Sequence, residues 1–75
     1  MDIKDLAVLH MGSRIFKAAD LLALAAPKDL PGNVQYALET PGADAAKSLG
    51  RALMSADGIE RVGTSRRVAL WRVRS

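Results

Sequence analysis

The sequence predicts a small α+β domain, three or four helices followed by a C-terminal two-stranded β-hairpin, and three observations predict it. The chain has 75 residues, enough for one hydrophobic core and too few for two. Apolar residues recur at helical spacing as far as Ala56, then give way beyond Gly58 to two short runs rich in β-branched and aromatic residues. Hydrophobic residues make up 49% of the chain but only three are aromatic, so it folds through Leu, Ala, Val and Ile and is too apolar for disorder. Residues 1–75 are therefore expected to form a single domain.

Each element has a local reason. Residues 2–10, DIKDLAVLH, suit a helix: Asp2 stands at the capping position, Ile3, Leu6, Ala7 and His10 share one side, and Gly12 ends it. Ser13 is placed to cap a second helix running to about Ala26, which Pro27 stops because the residue before a proline avoids helical backbone. On that helix Ile15, Ala19, Leu22 and Ala26 share a narrow face while Leu21 and Leu24 fall on the far side. It wants burial on both sides, either as the domain's central helix or as half of a homodimer contact.

Residues 27–43 are punctuated by Pro27, Pro31 with Gly32, and Pro41 with Gly42, so any element among them is short. The segment GNVQYALE, 32–39, reads as a short helix with Val34, Ala37 and Leu38 inward, or as an extended stretch alternating Val34, Tyr36 and Leu38. Periodicity does not separate the two; Ala, Leu, Gln and Glu lean toward the helix. The clearest helix runs from Asp44, its N-cap, to about Ala56, with Gly58 as the stop. Ala45, Leu49, Ala52, Leu53 and Ala56 line its inner side, and Lys47, Ser48, Arg51, Met54 and Ser55 its acid-free outer side. Gly50 in the interior costs about 1 kcal/mol relative to Ala, for which a close approach by another backbone is one reason. Beyond Gly58, IERV and VALWRV read as two strands around a basic turn, GTSRR at 63–67, leaning on the helices through Ile59, Val62 and Trp71 and less through Val73.

The formal net charge of +3 hides an asymmetry. Residues 1–44 hold four cations and six anions, a net −2, whereas residues 45–75 hold seven cations and two anions, a net +5. Six of those seven cations are Arg, whose planar fork suits phosphate oxygens and guanine edges. A polyanionic partner is the first implication.

Other chemistries find little support. There is no cysteine, which removes disulfides, thiolate nucleophiles and sulfur-based zinc sites. His10 is the one histidine and has no partners for a metal site or catalytic pair, so no cofactor, no metal and no enzymatic activity are expected. GADAAKSLG lacks the Gly-Lys-Ser/Thr ending of a phosphate-binding loop. No apolar run approaches the ~18–20 residues that cross a bilayer, and Asp2 and Asp5 are unlike a signal-peptide start. A cytoplasmic protein without a membrane partner is expected.

The order of elements over residues 44–75, and above all SLGRAL and SRRVALWRV, resembles a winged helix-turn-helix DNA-binding domain. The resemblance implies double-stranded DNA as the partner, with the 44–56 helix in the major groove and the hairpin, the wing, gripping the backbone with its 63–67 tip. Carried onto this sequence it assigns DNA contacts to Lys47, Ser48, Arg51 and Ser55 on the helix and to Arg61, Thr64, Ser65, Arg66 and Arg67 on the hairpin, while Arg72 and Arg74 can extend the phosphate-facing strip where strand alternation allows. Arg51, one turn from Lys47, can pair with guanine N7 and O6. Trp71 is expected as a core anchor. The resemblance departs in the middle: the tight turn between the paired helices fits TPGA at 40–43 if 32–39 is helical, and otherwise the partner is the helix ending at Ala26. The competing reading is a protein-interaction module that docks through the apolar 13–26 helix.

Overall fold

The computed structural model describes residues 2–74. Asp2 caps α1 (Ile3–Met11), its carboxylate accepting from the Lys4 amide, and Gly12 ends the helix. Leu6, Ala7 and Met11 are buried on its inner side. The chain then departs from the expected second helix. Ser13 caps nothing, and Phe16 is extended: its N–H donates to the Trp71 carbonyl and its carbonyl accepts from the Trp71 N–H, both at 2.8 Å. Only after this pair does α2 (Ala18–Leu24) begin, with Lys17 as its cap residue and the Asp20 carboxylate accepting from the Lys17 amide at 3.1 Å. Ile15 and Ala26 therefore lie outside the helix. Ala18, Leu21 and Ala25 face the core, whereas Ile15 and Leu24 are each 55% exposed. The expected face of Ile15, Ala19, Leu22 and Ala26 is therefore corrected, and burial on both sides does not occur.

A short 3-10 turn (Pro27–Asp29) leads to α3 (Gly32–Glu39), which resolves the 32–39 segment as helix. Val34 and Ala37 are buried, but Leu38, expected inward, is 45% exposed, because α3 packs chiefly on a single neighbour, the helix that follows it. The turn to the next helix is local chemistry. The Ala43 amide donates to the Thr40 carbonyl at 3.2 Å, with Pro41 and Gly42 in the middle and Gly42 at φ 81°, a type II arrangement that needs a residue free to take positive φ. The helix-turn-helix pairing is thus between 32–39 and the next helix, α4 (Ala45–Ser55). Asp44 caps α4 by accepting from the Lys47 amide at 3.1 Å, and Leu49 and Leu53 are fully buried.

The hairpin closes the fold. β1 (Ile59–Ser65) and β2 (Val68–Val73) pair antiparallel, and Phe16 adds a one-residue third rung on the far side of β2. Ile59, opposite Val73, and Trp71 turn inward; Ile59 is 5% and Trp71 3% exposed. Val62 does not. Register shifts between Arg61 and Gly63, so Val62 is the extra residue of a bulge and lies 37% exposed, contrary to its expected inward role. The turn is also tighter than GTSRR: β1 continues to Ser65, and only Arg66 and Arg67 lie between the strands, at φ 51° and 69°.

Four α-helices followed by a two-stranded hairpin make a small winged-helix-like α+β domain. Thirteen buried residues form one core that draws on all four helices and both strands. Among the described residues, no helix is long and apolar enough to cross a membrane.

Two stability predictions follow from the hairpin. Phe16→Ala removes a side chain 2% exposed and is expected to cost about 3–5 kcal/mol in chemical denaturation; a loss below about 1 kcal/mol would show that the pair does not anchor the hairpin. Positive φ at both turn residues suits Asn-Gly better than two arginines. The double change Arg66→Asn with Arg67→Gly should therefore raise stability by about 1–2 kcal/mol; a decrease would contradict the strained-turn reading.

Candidate nucleic-acid interface

Helix α4 is positioned by its inner side and leaves the outer side free. It packs on α2, on α3 and on β1, and its buried residues point away from Lys47, Arg51 and Met54, all of which are exposed. The outer side faces the end of the hairpin across an open groove of about 470 Å³. Lys47, Gly50, Arg51 and Met54 form one wall, and Arg67, Val68 and Ala69 of the turn and β2 form the other. The floor is Trp71 with the start of α2, Ala18 and Ala19. Three cations of two distant segments therefore converge on one concave surface.

The groove is apolar beneath and cationic at its rims, with Asp44 as the one acidic residue lining it. That carboxylate is engaged by the Lys47 amide, so the least favourable place for an anion is the N-terminal mouth of the groove. The stretch between Arg51 and Arg67 is the most favourable. Met54, 68% exposed, adds an apolar side chain beside these cations.

The remaining expected contacts distribute around this centre. Ser48 and Ser55 lie roughly 100° and 80° round α4 from Lys47, on the side away from Gly50. Ser48 is half-buried, and its carbonyl accepts from Asn33 Nδ2 at 3.5 Å, which ties α4 to the first turn of α3. Ser55 is exposed on that same flank. On the hairpin, Arg61 stands opposite Trp71 and Thr64 opposite Ala69, so both share the sheet face that lines the groove. Arg61 Nη2 donates to Thr64 Oγ1 at 2.7 Å, a bond that spans the bulge and holds the guanidinium along the strand. Ser65 pairs with Val68 at the last rung before the turn, and Arg66 is exposed at the turn's other corner.

Alternation sends Arg72 and Arg74 to the opposite face. Arg72 donates to Glu60 at 2.8 Å and Arg74 approaches the same carboxylate at 3.9 Å, so the two stand on the Glu60 side of the hairpin and do not extend the strip. Sequence reasoning missed Gly50, Val68 and Ala69 as groove-lining residues. The period-2 pattern of β2 marks Ala69 as inward, but whether inward means core or groove depends on how far the hairpin projects past the helices.

A second, shallower depression of about 380 Å³ lies between α1 and α2, where Met11, Ile15, Phe16 and Leu24 meet Arg14 and Asp20. Arg14 is held there by donating to the His10 and Met11 carbonyls at the end of α1. Comparison with known protein families, with curated proteins and with solved structures finds no match.

Because Glu60 and Arg72 are both substantially exposed, breaking their pair with Glu60→Gln is expected to change stability by no more than about 1 kcal/mol. A loss of several kcal/mol on denaturation would mean that the ion pair, rather than Ile59 and Trp71, holds the hairpin.

Proposed function

We propose that this protein is a non-enzymatic DNA-binding protein, a small transcriptional regulator or a phage or plasmid accessory factor. It sets the outer side of α4 in the major groove of double-stranded DNA and turns its Arg66–Arg67 tip onto the backbone. The observation that carries this reading is the meeting of Lys47, Arg51 and Arg67 on one groove. A solvated charged face needs no such convergence between a helix and a turn. The strained turn adds support. Two arginines occupy a backbone conformation that glycine or asparagine adopts at lower cost, and strain of this kind is retained where the side chains have a task.

The roles divide by position. Lys47 and Arg51 project from a rigid helix and can meet base edges, where a bidentate Arg contact discriminates guanine. Arg66 and Arg67 lie on the turn and meet phosphates, which positions the domain without reading sequence. Arg61 supports them from the same sheet face. The molecule is 34 Å in its longest dimension, about one turn of duplex, so one copy covers a single half-site.

Fluorescence anisotropy with duplex DNA at several salt concentrations tests the reading. Five cations of α4 and the hairpin, Lys47, Arg51, Arg61, Arg66 and Arg67, have no carboxylate partner among the described residues and predict a slope of log K against log salt near about −4 to −5. Absent or salt-insensitive binding contradicts the proposal. Arg51→Ala should shift sequence preference by roughly 1–3 kcal/mol, whereas Arg67→Ala should weaken all sequences alike; equal loss of discrimination from both would contradict the division of roles.

A protein contact is the second reading, and the exposure of Ile15 and Leu24 beside Met11 and Phe16 favours it. The continuous 13–26 helix expected to make it does not exist, but the two side chains still leave an apolar depression open. A homodimer through this depression would pair two half-site modules and leave the α4 groove free. Light scattering should then give twice the 8.0 kDa chain mass, reduced to one chain by Ile15→Glu with Leu24→Glu; a monomer at all concentrations removes the homodimer.

A further inference from the structure

Gly50 carries an inference that deepens, and rests on, the DNA-binding reading. It sits in the middle of the eleven-residue α4, where glycine is the least favourable residue after proline. Internal packing offers no reason for it. A methyl group built on Gly50 meets no atom within 4 Å apart from its chain neighbours and the helix's own backbone. The close approach of another segment of this chain, the one reason the sequence suggested, is therefore absent. The position is not indifferent surface either, because Gly50 lines the α4–hairpin groove together with the cations Lys47, Arg51 and Arg67. A helix that keeps its backbone bare at this point, at a cost in its own stability, leaves space for something that arrives from outside.

We propose that Gly50 is the point of closest approach between α4 and DNA, left without a side chain so that a deoxyribose–phosphate strand can lie against the helix backbone in the groove. The chemistry of the walls matches that occupant. Arg67 on the hairpin can take a phosphate of that strand while Arg51 on the helix reaches the base edges beside it, and Met54 with Val68 presents apolar surface to the sugar. Any side chain at position 50 holds the strand away from the helix by the width of that side chain. The Arg67 contact to phosphate and the Arg51 contact to bases then cannot form together. Gly50 is thus a positioning residue, selecting for duplexes whose strand can enter deeply, and it touches no base.

Gly50→Ala and Gly50→Leu separate this from the underlying reading, with thermal denaturation and duplex affinity measured on the same preparations. Gly50→Ala is expected to melt about 4–8 °C higher, the gain of a better helix former in a domain of this size, yet to bind duplex several-fold more weakly. Gly50→Leu is expected to stay folded and to lose tenfold or more. A lower melting temperature for Gly50→Ala would overturn the claim that nothing inside the molecule needs the glycine. Wild-type affinity in both Gly50 variants, alongside weakened binding by Lys47→Ala and Arg67→Ala, would overturn the inference and leave the DNA-binding reading standing. If the unmodified protein fails to bind duplex, both fall together.

Discussion

Two backbone hydrogen bonds between Phe16 and Trp71 are the constraint on which the arrangement depends. They join residues from opposite ends of the chain, and both side chains are almost wholly buried, so the polar pairing and the apolar packing reinforce each other. A two-stranded hairpin is not stable alone in water. The Phe16 rung gives β2 a neighbour on its second edge, and Trp71 pins the hairpin to the core that α1, α2 and α4 share. Without that pin the turn would have no defined position relative to α4. The convergence of Lys47, Arg51 and Arg67 is therefore a consequence of a buried aromatic pair that itself carries no charge.

Charge placement follows the same geometry. Trp71 faces the helices, so its neighbours in sequence, Leu70 and Arg72, face away, and Arg72 meets Glu60 on the outer side of the sheet. The residues opposite Trp71 and Ala69 on β1, Arg61 and Thr64, return to the groove side. Alternation thus puts Arg72 on the side of Glu60 and Arg61 on the side of the groove. The bulge at Val62 belongs to this sorting, since an extra residue there determines which of the later β1 side chains face the groove.

What the sequence revealed, and what it did not, divides by the range of the interaction responsible. The Asp2 and Asp44 caps, the Pro41–Gly42 turn and the inner face of α4 arise within a few residues of where they are read, and the structure has each of them. The break at Phe16 arises from Trp71, far along the chain. Nothing local opposes a helix from Ser13, so the apolar pattern there carried the wrong start and, with it, the wrong face. Val62 was misplaced because a bulge is a property of two strands together. The turn at Arg66–Arg67 lacks the Asn-Gly signature of its type, which drew the expected turn toward Gly63. Of the nine residues read as DNA contacts, Lys47, Arg51 and Arg67 meet in the groove, and Arg61 and Thr64 share its sheet face. Ser48 and Ser55 stand on the far flank of α4 because a helical wheel marks what is outside without saying which outside faces the hairpin.

The most direct test of the central claim, that α4 and the hairpin turn form one binding surface, is an amide chemical-shift map of the protein titrated with a short duplex. The account predicts that the largest shifts fall together at Lys47, Gly50, Arg51 and Met54 on the helix and at Arg67, Val68 and Ala69 on the hairpin. Shifts confined to one of these two segments, or centred on the depression around Ile15 and Leu24, would contradict it.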